Sequence, residues 1–229
     1  MLLETLATYY LIFTQPVINQ NTVDLRPYFS RVFDQGQSKS CTAHAIASVA
    51  NFHEKQKNKN SKLISRLDIY HQSRKNFKQD DGASFKNSMD VLEHNSLCDE
   101  TLWPYNWRHV NSNPPATCIT NRKIHSNFKP FQLPPNSQCI AYAIRKNHPV
   151  VIGALLTKNF NESDTVVPLQ NDPIVCKHAM VVVGVTTNDD HFIIRNSWST
   201  NWKSNGYITV PRLFIDRFVV DSWVLTPLD

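Results

Sequence analysis

The stretch DQGQSKSC, residues 34–41, decides how the rest of the chain is interpreted. It places a glutamine six positions before a cysteine, with one glycine and several small polar residues between them. The residues that follow, CTAHAIASVANFHEKQ, repeat alanine and isoleucine at helical spacing, which predicts a helix near Cys41 with serines available to cap its start. Because a helix start carries partial positive charge and free amides, it favours a thiolate over a thiol. Cys41 is therefore a candidate nucleophile.

A nucleophilic thiolate needs a base, and the base needs a group that orients its ring. The run KHAMVVVG offers His178 at the start of a predicted strand, and IIRNSW offers Asn196 at the end of the next one. Adjacent strands can bring these two residues together although they lie 18 positions apart. Gln35 would donate a hydrogen bond from its side-chain amide to an oxyanion, beside the backbone N–H of Cys41.

The sequence lacks the residues that other catalytic mechanisms require. His53 and Glu54 begin like a zinc-protease motif, but the second histidine is missing, and the chain has neither a C-x-x-C pair nor a G-x-S-x-G motif. We expect no metal and no cofactor. His44 is expected to be a packed or capping residue, and isolated cysteines are usually small core residues, which we expect of Cys98, Cys118 and Cys139.

Composition indicates a soluble globular protein, with 229 residues, 41% hydrophobic and 19% charged, and a net charge of +5. The densest positive segment is expected to be a solvated helix face, and nucleic-acid binding is not expected; its members are Lys55, Lys57, Lys59, Lys62 and Arg66. The five cysteines leave at least one free thiol. The oligomeric state stays open.

The apolar N-terminus, MLLETLATYYLIFT, carries Glu4 where a signal peptide has positive charge, and it lacks a clear cleavage site. No other segment approaches the ~20 apolar residues of a membrane span, so membrane association is not expected. An intracellular location is favoured over secretion or a lysosome-like compartment. The Asn- and Lys-rich, Gly-poor composition would suit an AT-rich genome such as that of a large virus within its host cell.

The order of predicted elements indicates an α+β fold of two lobes that meet at a cleft. Helical spacing recurs in three segments, marked by Leu63, Leu67 and Tyr70, by Phe85, Met89 and Leu92, and by a short run from Ile140 to Ile144. The later part of the chain is rich in β-branched and aromatic residues, which predicts strands in PVVIGALL, HAMVVVGVTT, HFIIRNSW, GYITV and DSWVLT.

Four blocks in this order resemble the papain-type cysteine proteases (peptidase C1), especially their short branch in bacteria and large DNA viruses. The blocks are DLRPYFSRVFDQGQSKSCTAHAIA, DDGASFKNSMDVLEHNSLCDETLWPY, HAMVVVG and FIIRNSWSTNWKSNGYITVP. The resemblance implies a papain-like peptidase domain over residues 23–229, with a helical lobe over about 23–125, a β-rich lobe over about 126–229 and the active site between them. Residues 1–22 would be an N-terminal extension or a short pro-segment.

The resemblance also implies a role for each matching residue. Cys41 would be the nucleophile, His178 its acid–base partner, and Asn196 the residue that orients the imidazole, while Gln35 and the Cys41 amide would form the oxyanion hole. The remaining residues would bind substrate or shield the site. Trp198 would cover the Asn–His hydrogen bond, and Gly82 would pair with extended substrate backbone. Ala179 and Cys176 would border the pocket for the substrate side chain two positions before the cut, and Lys39 would lie beside the substrate residue just before the cut.

The function so implied is hydrolysis of polypeptide substrates through an acyl-thioester intermediate, by an endopeptidase because no occluding insertion is evident. The alternative is a non-catalytic papain-fold protein that binds peptides. Several departures from the family bear on this choice. Ser38 stands where the family has a disulfide-bonded cysteine and Thr42 where it has an aromatic residue, and glycines are replaced by Lys39, Ser199 and Lys203. The lost glycines point to a narrower cleft or a changed backbone.

Overall fold

The computed structural model describes residues 21–123, 128–162 and 173–228, so most of the proposed N-terminal extension lies outside the described residues. Within these ranges the α-helices are α1 (Cys41–Lys57), α2 (Arg66–Ser73), α3 (Phe85–His94), α4 (Ala116–Thr120), α5 (Ser137–Arg145), α6 (Lys158–Glu162) and α7 (Arg212–Phe218). Short 3₁₀ helices cover Arg26–Tyr28, Trp107–His109 and Thr187–Asp189. No described helix is long and apolar enough to cross a bilayer.

The strands form a single seven-stranded antiparallel sheet, consisting of β1 (Val23–Asp24), β2 (Phe128–Gln132), β3 (Val150–Thr157), β4 (Ile174–Val185), β5 (His191–Arg195), β6 (Tyr207–Pro211) and β7 (Val219–Pro227). Their order is β2-β7-β3-β4-β5-β6, with β1 paired to β4. All five strand-forming runs identified in the sequence lie in this sheet. Helices therefore dominate the first half of the chain and strands the second, as the α+β prediction requires.

Helix α1 is the central helix and carries Cys41 at its first position. Every residue from Thr42 to His53 is buried, so the helix is enclosed on all sides rather than amphipathic, and it packs against β4. The prediction that a serine caps this helix is wrong. Ser40 occupies the cap position, but its hydroxyl makes no capping bond and instead contacts Ser38 Oγ at 2.6 Å.

Two further expectations about the helical region are wrong. Helix α2 begins only at Arg66, and Leu63 lies before it, because the neighbouring Ile64 pairs with Asp99 in an isolated β-bridge. Arg66 is not part of a solvated face: its side chain is 12% exposed and forms an ion pair with Glu100. Helices α3 and α5 contain the apolar residues that predicted them, and both begin at a side-chain cap.

The boundary between the lobes is less simple than the sequence indicates. Val23 and Asp24 pair with Val185 and Gly184 of β4, so the start of the proposed helical lobe belongs to the sheet. Cys98 and Cys118 are core residues as expected, but they are not isolated, because a disulfide joins them. Cys139 is buried and free, as expected.

Candidate active site

The Cys41 thiol lies between the start of α1 and the middle of β4 and keeps partial contact with solvent. Its surroundings act on its pKa in two directions. Burial raises the pKa of the thiol, whereas the amide of Ala179 on β4, the Thr42 side chain and the amides at the start of α1 lower it. The helix start thus stabilises a thiolate as the sequence indicated, but burial is the larger influence in this conformation.

His178 and Asn196 form a hydrogen-bonded pair beside Cys41. His178 is on β4, and Asn196 directly follows β5, so antiparallel pairing of these strands brings the two side chains together. His178 Nε2 lies 2.8 Å from Asn196 Oδ1, which also accepts a hydrogen bond of 2.7 Å from the Ser197 amide. Since this oxygen only accepts, Nε2 is the donor and His178 Nδ1 is left to take up a proton.

Burial lowers the pKa of His178 to about 4, although the hydrogen bond to Asn196 acts in the opposite direction. The described residues contain no hydrogen bond between the Cys41 thiol and the imidazole. Both pKa shifts favour the neutral forms of the thiol and the imidazole in this conformation. A thiolate would require proton transfer to His178, which the Asn196 oxygen assists by accepting from the imidazolium.

Trp198 stacks on the imidazole of His178, with ring centroids 4.6 Å apart and an angle of 28° between the planes. Trp202 packs edge-on against Trp198 at 5.3 Å, and Phe160 stacks on Trp202 at 5.8 Å. This aromatic cluster keeps water from one face of the imidazole and restricts rotation of the ring. Trp198 thus contacts the ring of His178, and its role as the cover of the His178–Asn196 hydrogen bond stays a prediction.

The side-chain amide of Gln35 is buried and held in one orientation. Its Oε1 accepts from Ser197 Oγ at 2.6 Å, and its Nε2 donates to the Ser38 carbonyl at 2.8 Å. The Gln35 backbone amide also donates to the Ser197 carbonyl at 2.8 Å. An amide nitrogen carries two hydrogens, so Nε2 retains one donor for a developing oxyanion.

The proposed substrate-binding residues come from the loop before α1, from the segment around Gly82 and from β4. Gly82 has a φ of 92°, a left-handed conformation that favours glycine, and Lys39 is exposed beside it. On β4, Ala179 is buried directly opposite Gly153 of β3, whereas Cys176 is exposed and free. Burial raises the pKa of the Cys176 thiol, and the charge of the Cys41 sulfur raises it further.

The residues that replace glycine in FIIRNSWSTNWKSNGYITVP, the tryptophan block, adopt a left-handed backbone. Ser199 and Lys203 have φ values of 68° and 45°, so both remain in the left-handed region that glycine adopts at no steric cost. Gly206, with φ of 87°, is enclosed by Val32 and the Ser199 carbonyl. Lys39 has no positive φ, so its position does not require glycine.

The structure places several further residues at the site that the sequence analysis did not identify. The Tyr105 hydroxyl lies 2.6–2.8 Å from Ser38 Oγ, Ser40 Oγ and the Gln35 carbonyl, and thereby joins both ends of the loop that precedes Cys41. Arg195 is 2% exposed and donates to the carbonyls of Ser30 and Arg31. The only signal in the sequence that could have identified Arg195 is its position directly before Asn196.

Known proteins that are similar to this chain share one family. The profile of the papain family cysteine proteases matches residues 19–222. An uncharacterised peptidase C1-like protein of Acanthamoeba polyphaga mimivirus is 28% identical over 92% of this chain and 76% of its own length. A cysteine protease of Blomia tropicalis is 29% identical over 83% of this chain, which spans 61% of that relative.

Among solved structures, xylellain, a cysteine protease from Xylella fastidiosa, superposes with a TM-score of 0.82 and 26% identity, covering 93% of this chain and 88% of xylellain. A viral and a bacterial protein thus stand among the relatives, as the resemblance to the short branch predicts, and the papain-like two-lobe fold is confirmed. The chain belongs to the papain family of cysteine proteases.

Proposed function

We propose that this chain is an endopeptidase that hydrolyses peptide bonds of polypeptide substrates with Cys41 as its nucleophile. The domain responsible would be residues 23–229, with residues 1–22 as an extension or short pro-segment. The observation that carries the proposal is the His178–Asn196 hydrogen bond of 2.8 Å, which occupies Nε2 of a buried, stacked imidazole and leaves Nδ1 to take up a proton.

In the first half of the reaction, His178 Nδ1 takes the thiol proton and the Cys41 sulfur attacks the carbonyl carbon of the scissile bond. The resulting oxyanion would accept hydrogen bonds from Gln35 Nε2 and the Cys41 amide. As the C–N bond breaks, the imidazolium gives its proton to the leaving amine, and an acyl-thioester remains on Cys41.

In the second half, water attacks the thioester while His178 takes one of its protons. The C–S bond then breaks, the carboxylic product leaves, and the proton returns to the Cys41 sulfur. Asn196 does not exchange protons in this scheme. It keeps the ring oriented, so Asn196→Ala should lower kcat less than Cys41→Ala or His178→Ala.

The test is hydrolysis of a peptide library by the purified chain, together with labelling of Cys41 by an epoxide-bearing peptide. Cys41→Ala should abolish both while it leaves the circular dichroism spectrum unchanged, and Cys139→Ala, which removes a free thiol of α5, is the matched control. Peptide hydrolysis that persists in Cys41→Ala would refute the mechanism. Peptide binding without hydrolysis or labelling by the unaltered chain would instead indicate the non-catalytic alternative.

A further inference from the structure

The loop before Cys41 is tied to the segment around Gly82 by one carboxylate. Both oxygens of Asp80 lie 3.1 Å from the Lys39 amide, and Oδ1 also accepts from the Tyr70 hydroxyl at 2.5 Å. That hydroxyl in turn accepts from the Gly82 amide at 3.1 Å. A continuous chain of hydrogen bonds therefore runs from Lys39 through Asp80 and Tyr70 to Gly82.

Two more contacts fix the same segment. The Thr42 hydroxyl, on the first turn of α1, donates to the Ala83 carbonyl at 3.0 Å. Arg74 lies over the Tyr70 ring at 3.9 Å and donates to the Gln79 carbonyl at 2.5 Å. Residues 79–83 are thus held against the start of α1 by polar contacts at several points.

No covalent bond holds this wall of the cleft within the described residues. Ser38 has no thiol to form a bridge beside the nucleophile, and the disulfide present joins Cys98 and Cys118. Hydrogen bonds to a charged acceptor are about twice as strong as those between neutral groups, so one carboxylate that accepts from two donors, the Lys39 amide and the Tyr70 hydroxyl, is a substantial replacement for a disulfide.

We propose that Asp80 is a positioning residue, which holds the Gly82 segment at the distance from Cys41 that an extended substrate requires. The inference rests on the proposed peptidase function. With its amide bonded to Tyr70, Gly82 retains its carbonyl to accept a hydrogen bond from substrate backbone. Loss of Asp80 should leave the nucleophile intact but displace the wall against which the peptide lies.

The experiment compares two reactions of Cys41 in the full chain. Iodoacetamide alkylates the thiol without contacting the wall, whereas an oligopeptide substrate and an epoxide-bearing peptide both depend on it. Asp80→Ala should raise KM about tenfold and slow labelling by the peptidyl epoxide about tenfold, corresponding to 1.4 kcal/mol. The kcat and the iodoacetamide rate should stay within about twofold of the unaltered chain.

Three variants complete the design. Asp81→Ala is the matched control, because Asp81 is the adjacent exposed carboxylate and forms no hydrogen bond with any described residue. Asp80→Asn keeps an acceptor for the Lys39 amide and should restore most of the lost affinity. Tyr70→Phe removes the hydroxyl in the middle of this series of hydrogen bonds while preserving the ring. It should reproduce the rise in KM and the slower epoxide labelling if Asp80→Ala does not fold.

The outcomes separate this inference from the proposed function. Equal effects of Asp80→Ala and Asp81→Ala would overturn it, as would a parallel fall in thermal stability, iodoacetamide rate and peptide hydrolysis, which would show a purely structural role. If the unaltered chain hydrolyses no peptide, the proposed function fails. The ratio of epoxide to iodoacetamide labelling across the same variants still decides whether Asp80 positions the wall.

Discussion

At the residue scale, the candidate oxyanion donor depends on two neighbours that fix it. Ser197 and the Ser38 carbonyl hold both ends of the Gln35 side-chain amide, so the remaining donor hydrogen is oriented before substrate binds. Gln35→Ala should lower kcat/KM by about 10²–10³ while iodoacetamide still alkylates Cys41. Gln37→Ala, at an exposed position in the same loop, should have little effect. A loss below about threefold in Gln35→Ala would exclude this role.

The left-handed residues of the tryptophan block provide a second test at this scale. An L-residue with a side chain at Ser199 bears a conformational cost of about 1–2 kcal/mol, which glycine avoids. Ser199→Gly should therefore be more stable to urea than Ser199→Ala by about 1 kcal/mol, since both variants remove the hydroxyl. At Lys39, where φ is not positive, the alanine variant should be the more stable one. The same order of stability for the glycine and alanine variants at both positions would contradict this account.

At the scale of elements, apolar periodicity predicted helices and β-branched composition predicted strands. The buried central helix, α3, α5 and the strands could be identified because each carries its own apolar pattern. The start of α2 could not be predicted, because Ile64 forms a β-bridge with Asp99, 35 residues later in the chain. The Asp80–Lys39 contact and the Tyr105 hydroxyl cluster were equally inaccessible, because they join segments that only the folded chain brings together.

The Cys98–Cys118 disulfide belongs to this scale, because it closes the segment that carries Tyr105. A cross-link between residues 20 positions apart should stabilise the fold by about 3 kcal/mol, mainly by restricting the unfolded chain. The double variant C98A/C118A should lose about this much in urea unfolding, and Cys139→Ala, which removes a buried free thiol, is the control. Both sulfurs are buried, so hydrolysis should persist in millimolar dithiothreitol. Rapid loss of activity in dithiothreitol would contradict this prediction.

At the scale of the whole molecule, buried histidines make stability depend on pH. Burial, and then the nearby His148, lower the pKa of His53 to about 4 in the fold, against about 6.5 in the unfolded chain, and burial also keeps His44 well below its usual pKa. As pH falls from 6.5 toward 4, the unfolded chain binds more protons, so the fold loses stability by about 1.4 kcal/mol per pH unit for each such histidine.

Urea unfolding at pH 7 and pH 5 measures this loss. His53→Gln should make the difference between the two pH values smaller, because one group no longer takes up a proton on unfolding. His191→Gln, at an exposed position, should leave the difference unchanged. Stability that rises on acidification, or a His53→Gln variant with an undiminished pH dependence, would show that burial of these rings is not responsible.

The charge along the cleft is the other property of the whole molecule, since its residues come from distant segments. Lys39 and Lys177 are both exposed, one beside the loop before Cys41 and the other next to His178. The Asp80 carboxylate lies against the Lys39 amide, so it offsets part of the field of that lysine, whereas Lys177 has no ion pair with a described residue. The net effect is a cleft that should disfavour a basic substrate side chain just before the cut.

A lysine about 8 Å from a substrate charge, at an effective dielectric of about 40, contributes about 1 kcal/mol, or roughly fivefold in rate. Paired fluorogenic peptides with Glu or Arg at this position should therefore differ by several-fold in kcat/KM, with Glu favoured, and the difference should shrink at high salt because exposed charges are screened. Lys177→Gln should reduce the preference more than Lys39→Gln, because the Asp80 carboxylate already offsets part of the field of Lys39. Lys129→Gln, on the remote strand β2, is the matched control. A preference for Arg that neither cleft variant alters would show that these lysines lie too far from the substrate to act on it.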